Sequence, residues 1–376
     1  MKNCLLSLSL WLLSSYFGSS QTTYNETFLH NGLIRDYRIY VPAIYDGSNP
    51  VPLLFNLHGY TSDNISQEFY ADFRPIADTA GFIIVHPNGT FDQNGDRWWN
   101  AFDVPGIDDV GFLSDLIDSM NNNFNIDLNR IYSTGMSNGG FMSYELACSL
   151  GNRITAIASV TGTMLNSKLG SCSPIKATPV MQIHGTNDPT VLYAGDAQFA
   201  PIESVVNFWV QENGCNLNPT INAVPDINLT DGCTAEHYIY SNGNNGTSVE
   251  FYKIIGGAHT WPGSPFVIGV TNQDFNACKE IWRFFQQYSL DELLSLDSAT
   301  KLEYEIDIFP NPSESEFLLN SDYHWDELIV FDITGRIIER TSKYLPQYRI
   351  RDLKSGEYHV QFKFESDIIF KKIIKI

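Results

Sequence analysis

Basic residues are scarce in this chain. Its 376 residues hold 23 Lys and Arg against 43 Asp and Glu, a formal net charge of -20. So acidic a body repels phosphate backbones and anionic lipid, which argues against nucleic acid or a membrane surface as partner. The imbalance is uneven. Residues 21–300 carry 29 acidic and 11 basic side chains, residues 301–376 carry 14 and 11. We read the acidity as a solubility device. Cysteine is also sparse, with six residues and no C-x-x-C pair, so zinc is not expected. Long apolar runs are missing as well. The segment Leu5–Phe17 is about 13 residues, short of the ~20 that a spanning helix needs.

What is present begins with that segment. Lys2, the apolar run and Gly18-Ser19-Ser20 read as a signal peptide over residues 1–20. Its removal takes Cys4 and leaves five cysteines for an oxidising compartment. Cys215 and Cys233 flank a Pro/Asn/Gly-rich stretch and are the first expected pair. Cys148 with Cys172 is the second, and Cys278, in a helical pattern, is expected buried and free.

Hydrophobic residues make up 43% of the chain, enough for a large core. Short apolar runs at Pro52–Leu57, Phe82–Val85, Ile131–Thr134, Ile157–Val160, Val180–Ile183 and Val249–Ile255 read as buried strands. Between them, Phe69–Ala80, a segment capped by Asp108, Phe141–Leu150, Val205–Glu212 and Phe275–Tyr288 read as helices. The alternation predicts an α/β fold with a mostly parallel sheet flanked by helices. An Asn31-Gly32 turn predicts an antiparallel hairpin at its start. After a polar-leucine stretch the pattern changes to short strands and turns, including Phe309-Pro310-Asn311-Pro312 and Thr334-Gly335. We therefore expect a large α/β domain over 21–289, a linker over 290–302 and a small antiparallel β-sandwich over 303–376.

The chemistry centres on Gly135-Met136-Ser137-Asn138-Gly139. A G-x-S-x-G between a strand and a helix is a nucleophile elbow, in which the serine projects from the carboxyl edge of the sheet. Serine needs a base to take its proton. In an α/β-hydrolase the partners follow in the order Ser, Asp, His. Asp188 lies in the loop after Val180–Ile183, and His259 in the Gly-rich loop after Val249–Ile255. His184 and Asp196 compete for the same roles. His184 ends a strand and is expected to support its loop, and Asp108 and Asp109 are expected to cap and brace. The oxyanion donors are expected to be the N–H groups of Asn138 and of Tyr60, in the loop after Leu57. Trp98, Trp99 and Trp261 are the candidate platform for an aromatic or hydrophobic acyl group. No cofactor or metal is expected.

Leu57-His58-Gly59, Trp99-Asn100, Asp108-Asp109-Val110-Gly111-Phe112, Gly135 to Gly140, His184-Gly185-Thr186-Asn187-Asp188 and Gly257 to Gly263 carry a resemblance. Together they resemble the secreted esterases that include polyhydroxybutyrate depolymerases and the feruloyl and acetylxylan esterases of carbohydrate esterase family one. The resemblance covers about residues 25–290 and implies the same triad, Ser137, Asp188 and His259. The chain departs at Tyr60-Thr61-Ser62, where many members have a Cys-Gly-Gly type loop. The tail, through Phe309 to Pro312, Asp332 to Arg336, Leu353 to Tyr358 and its lysine-rich last strand, resembles a type IX secretion sorting domain. This implies export through the outer membrane and a partner in the export machinery. The reading is then a monomeric, secreted serine ester hydrolase acting on polysaccharide-linked esters or a polyester. A prolyl oligopeptidase-type peptidase lacks its usual preceding domain here. An idle binding protein fits poorly with a full set of Ser, Asp, His and elbow glycines.

Overall fold

The structure, a computed structural model, describes residues 20–294, 306–321, 324–332, 336–345, 347–363 and 368–376. Signal residues 1–19, linker residues 295–302 and the Thr334-Gly335 turn lie outside the described residues. The chain divides into two compact units, one ending at Leu296 and the other starting at Asp297.

In the first unit the elements run β1 (Thr22–His30), β2 (Leu33–Val41), β3 (Val51–Leu57), α1 (Asn64–Tyr70), α2 (Arg74–Ala80), β4 (Ile83–Pro87), β5 (Thr90–Phe91), β6 (Arg97–Trp98), α3 (Asp109–Asn123), β7 (Ile126–Met136), α4 (Asn138–Ser149) and β8 (Ala156–Val160). There follow α5 (Asn166–Leu169), β9 (Val180–Gly185), α6 (Ile202–Glu212), β10 (Thr220–Ala223), β11 (Thr234–Tyr240), β12 (Val249–Ile255), α7 (Ala277–Phe285) and α8 (Leu290–Leu294). Ten strands form one sheet in the order β1-β2-β4-β3-β7-β8-β9-β12-β11-β10. The central strands from β4 to β12 are parallel and both margins are antiparallel. The predicted hairpin closes through Asn31 (φ 47°) and Gly32 (φ 81°), the left-handed pair that a two-residue turn requires. The second antiparallel margin, β10 and β11, was not among the expected strands. β10 is exposed throughout and most of β11 is only partly buried, so no buried apolar run marks them.

Alternate residues of the central strands feed opposite layers. Leu53, Phe55 and Leu57 pack with α3, α4 and α6. Leu54 and Ile84 pack with α2, α7 and α8. Both faces are thus covered, as apolar parallel strands demand. The Asp108 side chain accepts from Gly111 N (2.7 Å) and starts α3. Asp109 accepts from Asn100 N (2.6 Å) and pairs with Arg35 (2.6 Å).

Two expectations change here. The single helix over 69–80 is two helices, because Pro75 has no N–H and its ring would meet the carbonyl of Ala71. That carbonyl instead accepts from Asn56 Nδ2 (2.9 Å). The hydrolase unit also extends past residue 289. Leu290 and Leu293 of α8 are buried, and Leu293 joins the layer of α2 and α7.

The disulfide expectation is half corrected. Cys148 and Cys172 are bonded, with Cα atoms 5.3 Å apart. Cys215, Cys233 and Cys278 are free and buried. Cys233 immediately precedes β11, whereas Cys215 lies beyond its far end, beside Thr247. Seven residues of strand separate the two, roughly 23 Å at ~3.3 Å per residue, against the ~6 Å between Cα atoms that a bridge needs.

The second unit is the expected sandwich. Strands β13 (Ile306–Phe309), β14 (Phe317–Ser321) and β17 (Gln347–Ile350) form one sheet. Strands β15 (Glu327–Asp332), β16 (Ile337–Thr341), β18 (Gly356–Lys363) and β19 (Ile368–Lys375) form the other. Phe317, Leu319, Val330, Val360 and Phe362 meet around fully buried Trp325.

Candidate active site

The carboxyl ends of β3, β7, β9 and β12 lie along one edge of the sheet, and each carries part of the site. Ser137 follows β7 directly, with φ 54° and ψ -117°. A non-glycine residue rarely adopts this conformation, and it costs on the order of 1–3 kcal/mol. It is held by Ser137 N donating to Val160 O (2.8 Å) and by the start of α4. The Ser137 side chain makes no capping bond to that helix, so its hydroxyl is left for other work. The elbow glycines are set by close approach. A Cβ on Gly139 would lie 2.3 Å from Leu57 O, and one on Gly135 would lie 2.5 Å from Gly139 C. No side chain fits between β3, β7 and α4.

Asp188 and His259 meet from neighbouring strands, with His259 Nδ1 2.7 Å from Asp188 Oδ2. The other carboxylate oxygen accepts from Thr190 N (2.8 Å) and Val191 N (2.9 Å). Burial alone would raise the Asp188 pKa. The hydrogen bond and charge of His259, together with the Thr190 N–H, outweigh it and hold the carboxyl below its ordinary value. Asp188 is therefore a carboxylate at neutral pH, and His259 Nδ1–H donates to it.

The competitors fall elsewhere. His184 is fully buried; its Nε2–H donates to Val191 O (2.8 Å) and Nδ1 accepts from Gln182. Burial, partly opposed by Asp188, pulls its pKa down to about 4. It is a neutral loop brace, as expected. Asp196 is exposed and turns its own loop by accepting from Gln198 N and Phe199 N (both 2.7 Å).

The two expected oxyanion donors flank Ser137. Asn138 is the first residue of α4, where the N–H has no acceptor inside the helix. Gly59 passes so close that a Cβ on it would lie 3.6 Å from Ser137 Cβ. Beyond it, the Tyr60 N–H donates to no group among the described residues, whereas Thr61 N (φ 67°) donates to Arg97 O (2.9 Å). The loop is braced on both sides. His58 Nδ1–H donates to Gly59 O (2.7 Å) and His58 Nε2 accepts from Gly89 N (3.0 Å). The Tyr60 hydroxyl donates to Asp92 (2.8 Å).

Over Ser137 and His259 lies a cleft of about 670 Å³, walled by Tyr60, Phe69, Tyr70, Met136, Phe266 and Ile268. The three tryptophans are not part of this wall, which corrects their expected role. Trp99 is fully buried; its indole N–H donates to His58 O (3.1 Å), and its backbone is clamped by the Asn138 side chain. Trp98 and Trp261 are also buried, and Trp261 N donates to the Tyr70 hydroxyl (3.0 Å). Trp99 and Trp261 thus support the cleft from behind, through His58 and Tyr70, and Trp98 stacks on Phe102. The residues that do line the cleft include Phe69, Phe266 and Ile268, large apolar side chains left exposed. An apolar run inside a Gly/Pro-rich loop just after His259 is the sequence signal that marks them.

Comparison with known proteins agrees with this architecture. A phospholipase/carboxylesterase family model matches residues 51–208, and a secretion system C-terminal sorting domain model matches 307–376. A protein of Aspergillus niger named "Probable feruloyl esterase C" is 30% identical over 205 residues, covering 53% of this chain and 68% of its own length. The chain belongs to this esterase family. The esterase is also 27% identical over 269 residues to a bifunctional acetylxylan esterase/xylanase of Neocallimastix patriciarum, covering 72% of this chain. Feruloyl esterase B of Piromyces equi is 29% identical over 229 residues, 58% of this chain. The esterase spans only 36% and 41% of those two relatives. An acetyl xylan esterase structure from Aspergillus awamori aligns with 70% of this chain and 99% of its own, at 14% identity and TM-score 0.49. With its sorting domain the esterase is an exported protein, released or held at the cell surface. No described helix is long and apolar enough to cross a membrane.

Proposed function

We propose that the esterase cleaves its substrates through an acyl-enzyme on Ser137. The observation that carries this is the convergence, on one sheet edge, of a serine in a strained elbow and an Asp188–His259 pair beside an apolar cleft. His259 takes the proton of Ser137 Oγ as that oxygen bonds to the ester carbonyl carbon. The tetrahedral oxyanion is held by the N–H groups of Asn138 and Tyr60. His259 then gives its proton to the departing alcohol, and water repeats the sequence to release the acid. Asp188 keeps Nδ1 protonated and stabilises the imidazolium.

The substrates are feruloyl or acetyl esters of plant polysaccharide, with hydroxyalkanoate polyesters as the other ester class. The cleft favours the first. A polymer cannot enter a space of about 670 Å³, so the acyl part occupies it, and an acetyl group would leave most of its aromatic wall uncovered. The test is an ester panel of methyl ferulate, acetylated xylan, p-nitrophenyl acetate and polyhydroxybutyrate, run on wild type and Ser137→Ala. Methyl ferulate should be the best small substrate, and the alanine variant should lose about 10⁴-fold or more in kcat. Retention of even a tenth of the activity in Ser137→Ala would remove the elbow from the mechanism.

A further inference from the structure

Most of the cleft surface is apolar, with Thr61, Ser62, Ser66, Gln67 and Thr190 as the polar side chains beside Ser137 and His259; among them, a polar atom whose direction is fixed can select the substrate. Gln67, on α1, is such a residue. It lines the cleft, yet only 2% of its surface is exposed. Its amide is oriented by a chain of contacts anchored on the backbone. The Ala71 carbonyl can only accept, so the Asn56 group facing it is the Nδ2 donor (2.9 Å). Asn56 then turns its Oδ1 toward α1, and Gln67 must answer with its own donor, Nε2, at 2.8 Å. Both side chains are buried, and neither can flip without setting oxygen against oxygen. Gln67 Oε1 is thereby fixed as an acceptor. It receives no hydrogen bond from the described residues, and it is not among the sealed polar atoms that lack a partner. Its remaining opening is the cleft.

We propose that Gln67 Oε1 selects acyl groups that carry a hydrogen-bond donor, a free hydroxyl on an otherwise apolar or aromatic acid. The inference rests on the acyl-enzyme reading of Ser137 and goes beyond it by naming what the acyl pocket reads. An acyl group capped as an ether at that position brings two acceptors together and leaves the Gln67 carbonyl unpaired, which a desolvated pocket penalises. Phe69 and Tyr70, on the same helix, cover the apolar remainder of the acid. The helix is pinned by the buried Glu68, which pairs with Arg38 (2.7 Å) and Arg74 (2.8 Å). The acceptor therefore sits on a fixed wall.

The test compares kcat/KM on two matched esters, methyl 4-hydroxycinnamate and methyl 4-methoxycinnamate, with the purified full chain. Wild type should prefer the hydroxylated ester by about tenfold or more. Gln67→Met, which keeps the shape and removes the acceptor, should bring the ratio to within about twofold, mainly by losing rate on the hydroxylated ester. Equal rates of wild type on the two esters would overturn the inference without any variant, and so would a ratio that survives Gln67→Met in a protein of unchanged melting behaviour. Failure of wild type to hydrolyse any ester would instead overturn the acyl-enzyme reading.

Discussion

The two walls of the cleft are built on opposite plans. On the Ser137 side the backbone does the work. Glycines let α4 close onto β7 and β3, His58 and Trp99 fix the loop from behind, and Ser137 stands on a locked main chain. On the α1 and Phe266 side, large side chains stand exposed from a short helix and a loop. The Ser137 side rests on positions that tolerate no added atom; the facing side, apart from the buried Gln67, presents exposed side chains such as Phe69 and Phe266.

The comparison breaks most visibly at Asp188. Asp188→Asn should lower kcat by about 10³- to 10⁴-fold, since an amide favours the wrong tautomer of His259 and cannot stabilise its charged form. Asp196→Asn, whose carboxylate only turns an exposed loop, should stay within about twofold. Assaying both variants on a soluble ester decides the matter. If Asp196→Asn is the crippled variant, the triad must be redrawn around the later carboxylate.

The opposite wall should answer more gently. Phe266→Ala removes an exposed ring from the cleft rim and should raise KM for aromatic esters by about 3- to 10-fold, with kcat nearly unchanged. A fall in kcat of the same size as that in kcat/KM would mean that this loop acts in the transition state.

The smallest expected effect is on stability, and it sharpens the contrast by belonging to the locked wall. His58 and His184 are buried, and burial holds both near a pKa of about 4. In the unfolded chain an ordinary histidine titrates near 6.5. Above that pH both states are neutral and the contribution is complete. As pH falls from about 6.5 toward 4, only the unfolded chain takes up the protons. Each ring then loses up to about 1.4 kcal/mol of stability per pH unit. The melting temperature should therefore drop by several degrees between pH 7 and 5, and a flat profile would mean that these rings are not sealed.

How much of this was legible in the sequence follows the same division. The strained turn at Ser137, the pairing of Asp188 with His259 and the parallel core could be read because tight turns and buried strands restrict residue type. Trp98, Trp99 and Trp261 misled because a tryptophan beside a motif looks the same whether it faces the cleft or supports it. Only the hydrogen bonds of Trp99 to His58 and Asn138 tell which. The Cys215–Cys233 expectation failed because proximity in the chain says nothing about a strand lying between the two residues. Gln67 was passed over because its importance comes from which way an amide is turned, and that is settled by Asn56 and the Ala71 carbonyl, whose contacts no sequence pattern shows.

The backbone of Ser137 has a further consequence, for descent. At φ 54° only glycine would sit without strain, and glycine carries no hydroxyl. If Ser137 is the nucleophile proposed above, selection for hydrolysis retains the strained serine. In a lineage that ceases to need it, the substitution that most relieves the fold is the one that ends the activity. A glycine at this position in an otherwise intact relative would therefore be the mark of a retired hydrolase, one whose scaffold grew steadier as its trade was lost.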